Sequence, residues 1–378
     1  MRLANGSEHH AMTTSRRRVV LALGSAALVP LLGADAFAQT PSRADRAFEA
    51  LGRRWLDRSM RYAPVAATTI GDHRYDNRVD DVSARGRNAA LAFTRDTLRR
   101  LDAIDRAALT RANQVDYALL KNTLEAQIWQ TETWQTWAWN PLGYQSVAGG
   151  ALYGLMAREF APLPQRLDSA IARLEALPRL LAQTRAELQP ARVPAPHAQT
   201  YAAQNPGLKS IVTDMIEPHK DQLSASKRAR LERAIAGFNA AVDEHQAWIT
   251  GTLVPAAQGD FRAGAQAFDT QLGYTLLSTL SRQEIRARAD AAVIRVRQEM
   301  YRIAQQVLAV LADAPAAPDN PTPEQQQAAI RAALDLAAAD RPARDQLVET
   351  ASAATEEARQ FVLARDLITL PAGPVRII

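Results

Sequence analysis

The sequence contains no cysteine. That excludes disulfides, thiolate metal sites and cysteine nucleophiles. Histidine is scarce: of six, only His73, His197, His219 and His245 lie beyond residue 38. No two of these four are four residues apart, which rules out an H-E-x-x-H zinc helix, where both imidazoles must share one face. A G-x-S-x-G nucleophile elbow is missing, as is a glycine-rich phosphate loop. Basic residues are mostly arginine and alternate with acids, so no block of the kind that binds nucleic acid forms. Period-two alternation, the mark of half-buried strands, is almost absent.

What is present starts with a leader. Arg16, Arg17 and Arg18 precede an apolar run of about fifteen residues from Val19, and Ala36-Phe37-Ala38 gives a small-x-small cleavage pattern. Residues 1–38 therefore read as a signal peptide. The run falls short of the roughly twenty residues of a membrane helix. Ser15-Arg16-Arg17 followed by Val19-Val20-Leu21 fits a twin-arginine signal, and arginine pairs occur in ordinary secretory signals too, so both routes stay open. Met12 is an alternative start. The formal charge of +5 falls to +3 once four arginines and two acids leave with the leader. No later segment is long and apolar enough to span a bilayer. A soluble, exported, periplasmic protein is expected.

The remainder, residues 39–378, reads as all-α. Phe48, Leu51 and Trp55 recur at helical spacing, as do Leu98, Leu101 and Ile104, and Leu163, Leu167, Ile171, Leu174 and Leu177. Pro178 is expected to break that last helix or start the next. Further helices are expected over about 226–253, 282–311 and 344–364. Between them, four prolines from Pro315 to Pro323 mark a loop, and Thr322-Pro323 reads as an N-cap followed by proline at the first helical position. "ITLPAGPVRII", from Ile368, reads as a turn and the start of a strand.

Candidate chemistry is thin. Asp243-Glu244-His245 resembles a ligand cluster, but successive helical residues point about 100° apart, so a solvated helix face is expected instead. Glu217-Pro218-His219-Lys220 reads as a helix end. "QIWQTETWQTWAWNPLGY" holds Trp129, Trp134, Trp137 and Trp139, with Tyr144 at its end. These rings suit a platform for a sugar or peptide, or simply bury area at a helix–loop junction. Trp129, Trp134 and Trp137 are expected to be mostly buried, with one rimming a pocket. "TTIGDHRYDNRVDD", Thr68 to Asp81, crowds a histidine, two arginines and four aspartates into one stretch.

Several segments together resemble the exported bacterial proteins of domain-of-unknown-function family 885. They are Pro64, Ala67-Thr68 and Gly71 to Asp76; Trp139-Asn140-Pro141 with Tyr144; Arg173 to Leu188; Leu253 to Leu272; and Asp366 to Pro371. They cover nearly all of the chain after the leader. The resemblance implies a large helical fold similar to zinc metallopeptidases of the thimet-oligopeptidase and carboxypeptidase Taq type. It also implies that the H-E-x-x-G-H-type zinc motif of longer members follows the region matched here. No catalytic or metal-binding position matches in this chain, so zinc is expected only in a full-length relative. The chain then reads as a non-catalytic N-terminal half. Its partner is a C-terminal catalytic half or a second copy, drawn by apolar faces left uncovered, and no nucleic acid is expected. His73, Arg74, Tyr75, Trp139 and Tyr144 are the candidate substrate-facing residues for a peptide-like ligand. For the first three, a polar turn is the competing reading. The rival functions are a stand-alone periplasmic binding or scaffold protein using the Trp129–Tyr144 cluster, and a metal-independent hydrolase.

Overall fold

The computed structural model describes residues 42–309, 314, 315, 317–339, 341–373, 375 and 377. The leader assigned to residues 1–38 lies outside the described residues. In the rest, helix follows helix, and the one β feature is an isolated bridge between Pro194 and Gly259.

Local sequence sets the first helix. Ser42 Oγ accepts Asp45 N at 3.0 Å, and Asp45 Oδ2 accepts Ser42 N at 2.9 Å, a reciprocal cap that opens α1 (Arg43–Ser59). Phe48 and Leu51 turn inward from α1. A short α2 (Pro64–Thr69) begins on proline. It is followed by α3 (Ala84–Asp102) and α4 (Arg111–Trp129), whose Leu101, Tyr117, Leu120 and Leu124 close one core with Phe48.

The larger core surrounds α7 (Leu163–Glu187). Before it come α5 (Thr136–Trp139) and α6 (Pro141–Met156); after it come α8 (Ala195–Gln204), α9 (Gly207–Met215) and α10 (Ala225–Trp248). Leu167, Leu174 and Leu177 of α7 pack with Leu152 and Leu155 of α6 and Phe238 and Val242 of α10. The expected break at Pro178 does not occur: α7 runs through it. An interior proline costs about 3 kcal/mol, but Leu174, Leu177, Leu180 and Leu181 are all buried around it and hold both halves on one face. Two arginines a heptad apart add to this. Arg166 donates to the carbonyls of Leu155 and Met156, satisfying the open C-terminal end of α6.

Beyond residue 260 the character changes. α11 (Val254–Ala256) ends the compact part, and α12 (Ala265–Leu276), α13 (Arg282–Leu308), α14 (Pro323–Ala339) and α15 (Leu347–Ala364) follow. The predicted cap at Thr322 is present: Thr322 Oγ1 accepts Gln325 N at 3.2 Å, and Gln325 Oε1 accepts Thr322 N at 2.9 Å. Tyr301, Ala304 and Leu308 meet Ala329 and Ile330 in a small core. Val293, Ile294, Leu334, Leu347 and Phe361 are exposed. The strand start expected after Ile368 is corrected, since no strand occurs among the described residues. Pro371 has no N–H to donate and no neighbouring strand offers a ladder; Pro374, Arg376 and Ile378 lie outside the described residues.

Candidate functional site: an acidic, aromatic-walled cavity

The crowded stretch Thr68–Asp81 folds around a buried arginine. Arg173 of α7 is fully buried and donates to Thr68 Oγ1 at 2.6 Å, Ala151 O at 2.8 Å, Arg78 O at 2.9 Å and Pro64 O at 3.2 Å. Asp76 Oδ1 accepts from Thr68 Oγ1 at 2.6 Å and sits 4.0 Å from Arg173 Nη2. Burial pushes the Arg173 guanidinium down to about 10, so it still carries its charge at neutral pH, helped by Asp76 and Asp80. The stretch is a structural clamp joining α2, α6 and α7.

The candidate residues His73, Arg74 and Tyr75 lie on the outside of that clamp. The His73 ring stacks on Phe160 with centroids 3.7 Å apart, and its Nδ1 is 3.0 Å from Asp76 Oδ2. Arg74 bonds Asp72 at 2.8 Å and also Asp57, with its guanidinium over the Tyr75 ring. Every charge here has a local partner, as the polar-turn reading expects. Trp139 is half-buried and donates to Trp134 O at 2.9 Å. Of the five candidates, only Tyr144 lines the cavity beside Trp137.

That cavity, about 340 Å³, lies where the loop before α3 meets the junction of α4, α5 and α6. The junction is unusual backbone. Gln130–Trp134 is a π-helical turn, and Gln135 takes the left-handed conformation with φ 55°. Both features concentrate at functional sites. The π-turn frees the Thr131 carbonyl, which Trp137 Nε1 reaches at 2.9 Å, fixing the indole as a wall. Tyr144 donates to Trp137 O at 2.7 Å, and burial holds its phenol well above the ordinary tyrosine range. Arg87 lies 3.7 Å over the Trp137 ring and bonds Glu187 at 2.5 Å. Gly86 completes the floor: a Cβ there would stand 2.0 Å from Asp81 O, so only glycine lets α3 start this close to the acidic loop. Trp129, Trp134 and Trp137 are all half-buried rather than mostly buried, because each indole bridges core and surface at this junction. Asp80, Arg87 and Asn140 line the cavity and were not candidates. The adjacent Asp80-Asp81 pair ahead of Gly86 was the one available signal.

A second polar arrangement lies deeper. His245 is fully buried, against the expectation of a solvated face. Asp243 and Glu244 are exposed, while His245 sits one turn from Val242 and Ile249 on the apolar stripe. Its Nε2 is 2.6 Å from Tyr201 Oη and its Nδ1 3.5 Å from Arg185 Nη1. Burial, with Arg185 nearby, lowers the imidazole to about 4.

Among the described residues, no group of three His, Asp or Glu side chains is placed to hold a metal ion. No helix among these residues is long and apolar enough to cross a membrane.

The model of a family described as "Bacterial protein of unknown function (DUF885)" matches residues 64–378. No curated protein matches the chain. Among solved structures, the fold is similar to that of "a putative lipoprotein of unknown function" from Shewanella oneidensis, with 24% identity and a TM-score of 0.68. The match covers 86% of this chain and 59% of that protein, so the chain spans less than two thirds of its neighbour's length.

Proposed function

The chain belongs to the bacterial family of unknown function DUF885, and we propose that it is the exported, helical N-terminal half of a metallopeptidase-like protein that handles a peptide-like ligand. In this reading the chain supplies no catalytic residue. Hydrolysis, and the zinc it needs, would belong to a C-terminal half of the kind that the family resemblance implies for longer members. Export is supported by the leader pattern at residues 1–38 and by the neighbour's description as a lipoprotein.

The observation that carries the reading is the exposed apolar surface of α13–α15. Ile294 is 61% exposed and Leu334 52%, beside a core of only a few side chains. Surfaces of this kind mark interfaces, and a further helical segment would cover them. Sizing chromatography with light scattering tests this, together with a fluorogenic peptide assay. The expected result is association of the isolated chain and no cleavage. A stable monomer that binds no hydrophobic dye overturns the half-protein reading, and zinc-dependent cleavage by the isolated chain overturns its non-catalytic role.

A second reading, a stand-alone periplasmic binding or scaffold protein, is favoured by the cavity at Trp137 and Tyr144. Its volume lies in the about 300–1,000 Å³ range of small-molecule sites.

A further inference from the structure

The cavity beside Trp137 contains a carboxylate, Asp80, that no cation among the described residues contacts in a direct ion pair. Asp80 Oδ2 accepts Val65 N at 3.1 Å. Among the described residues, no Lys, Arg or His nitrogen makes an ion pair with it. Arg173, whose charge is felt at Asp80, spends its donors on Thr68 and on the carbonyls of Pro64, Arg78 and Ala151. The neighbouring Asp81 is already engaged by Ser83 at 2.6 Å, by Gln183 at 2.9 Å and by the guanidinium of Arg85 at 3.3 Å. Arg87 is the one cation in the lining, and Glu187 neutralises it. The lining therefore carries a net negative charge, which disfavours an anionic ligand.

The walls suit a cation. Tyr62, Trp137 and Tyr144 all line the space, and Trp137 already holds one guanidinium against its ring. Aromatic faces attract ammonium groups through the ring quadrupole, more strongly as water is excluded. A carboxylate adds charge-assisted hydrogen bonds. We propose that this cavity binds the ammonium group of a peptide-like ligand, with Asp80 accepting from the N–H groups and the aromatic walls packing on the adjoining carbons. Burial also raises the Asp80 carboxyl above its ordinary value, against the more distant charge of Arg173. The source of the ammonium is an α-amino terminus or a lysine side chain. The inference deepens the peptide-ligand reading and rests on it.

Calorimetric titration of the 378-residue chain distinguishes these cases. The probes are leucine amide, with a free α-amino group; N-acetyl-lysine amide, with a side-chain ammonium; and N-acetyl-leucine amide, which is neutral. At least one ammonium probe should bind tenfold or more tightly than the neutral one, and which one identifies the source. Asp80→Asn keeps an acceptor for Val65 N but removes the charge, and should abolish the difference. Ala90→Leu fills the cavity from α3 with Asp80 untouched, and should abolish it too, which keeps the test valid if Asp80→Asn folds poorly. Equal binding of all three probes overturns the charge inference and leaves the peptide reading standing. Binding of none overturns both. A charge preference that survives either variant overturns the assignment to this cavity.

Discussion

Two regions of this chain use the same kind of helix in opposite ways. From α1 to α11, apolar stripes meet apolar stripes: Leu167, Leu174, Leu177 and Phe238 are fully buried, and even charged side chains such as Arg173 are enclosed and bonded. From α12 onward, Val293, Ile294, Leu334 and Phe361 face outward, and the shared core is a few side chains between α13 and α14. Both regions have capped helices of ordinary length. Local sequence therefore makes helices in each, but only the first buries its own faces, and packing supplies most helical stability. A mutation should register as global stability in the first region and as local opening or association in the second.

The largest expected effect is at Arg173. Arg173→Met keeps volume but removes the donors to the carbonyls of Pro64, Arg78 and Ala151 and the buried cation beside Asp76 and Asp80. Removing one partner from a buried charged network costs about 3–5 kcal/mol. Urea unfolding should show that loss. Ile294→Ala, at an exposed site on α13, should change stability by no more than about 0.5 kcal/mol. Equal losses at both positions would erase the distinction between the regions.

Above about pH 5, where the carboxylates of α13–α15 stay ionised, acid should act through the first region; Glu284, Glu324 and Glu356 are held below their ordinary values and respond only at lower pH. Burial lowers the His245 imidazole to about 4 in the folded chain, against 6.5 for an exposed one. Above pH 6.5 the imidazole is neutral in both folded and unfolded chains, and its contribution is flat. As pH falls below 6.5, the unfolded chain takes up a proton that the folded chain refuses, so stability drops until about pH 4. The difference between the two states corresponds to about 3 kcal/mol. The groups facing His245 are Tyr201, held above its ordinary range by burial, and Arg185, itself paired with Glu244 at 2.9 Å. Stability curves from pH 7.5 to 4 should show the drop in wild type, and His245→Gln should flatten it. A wild-type curve with no slope in this window would contradict the buried neutral imidazole.

His245 also shows where sequence reading stops. The helices themselves were legible from spacing, as was the cap at Thr322. The 100° step per residue correctly separated Asp243, Glu244 and His245. The same step places His245 three residues after Val242 and seven after Phe238, on the buried stripe, but local polarity outweighed that pattern. Pro178 misled for a related reason: the rule for an isolated helix gave way to leucines on both sides. The buried role of Arg173 and the cavity both depend on groups brought together from distant parts of the chain, such as Asp80 and Tyr144, and no single stretch encodes that meeting. Uncovered apolar faces were expected as a consequence of the family resemblance, but around a C-terminal strand; the exposed apolar side chains lie on α13–α15, and no strand occurs among the described residues.

The smallest effect gives the sharpest comparison, because identical chemistry occurs in both regions. Ser42 opens α1 and Ser281 opens α13 with the same reciprocal box, Asp45 answering the first and Glu284 the second. Replacing an N-cap serine with alanine costs about 1 kcal/mol. At Ser42 the box is tied to the core, since Asp45 Oδ1 also accepts from Thr110 N at 2.9 Å and Asn113 Nδ2 at 2.7 Å. Fraying α1 there must disturb α4, so Ser42→Ala should lower the global unfolding free energy by about 1 kcal/mol. At Ser281 nothing comparable is attached: Glu284 bonds only within its own turn, to Ser281 N at 2.9 Å and Ser281 Oγ at 2.8 Å. The residues that follow on α13 are exposed up to Met300 apart from the half-buried Ile285 and Ala292. Ser281→Ala should therefore leave the global midpoint unchanged and speed amide exchange only in the first turns of α13. Native-state hydrogen exchange resolved by residue separates the outcomes. If Ser281→Ala lowers protection in α4 or α7 as well, the C-terminal helices are coupled to the compact part, and the two-region description fails.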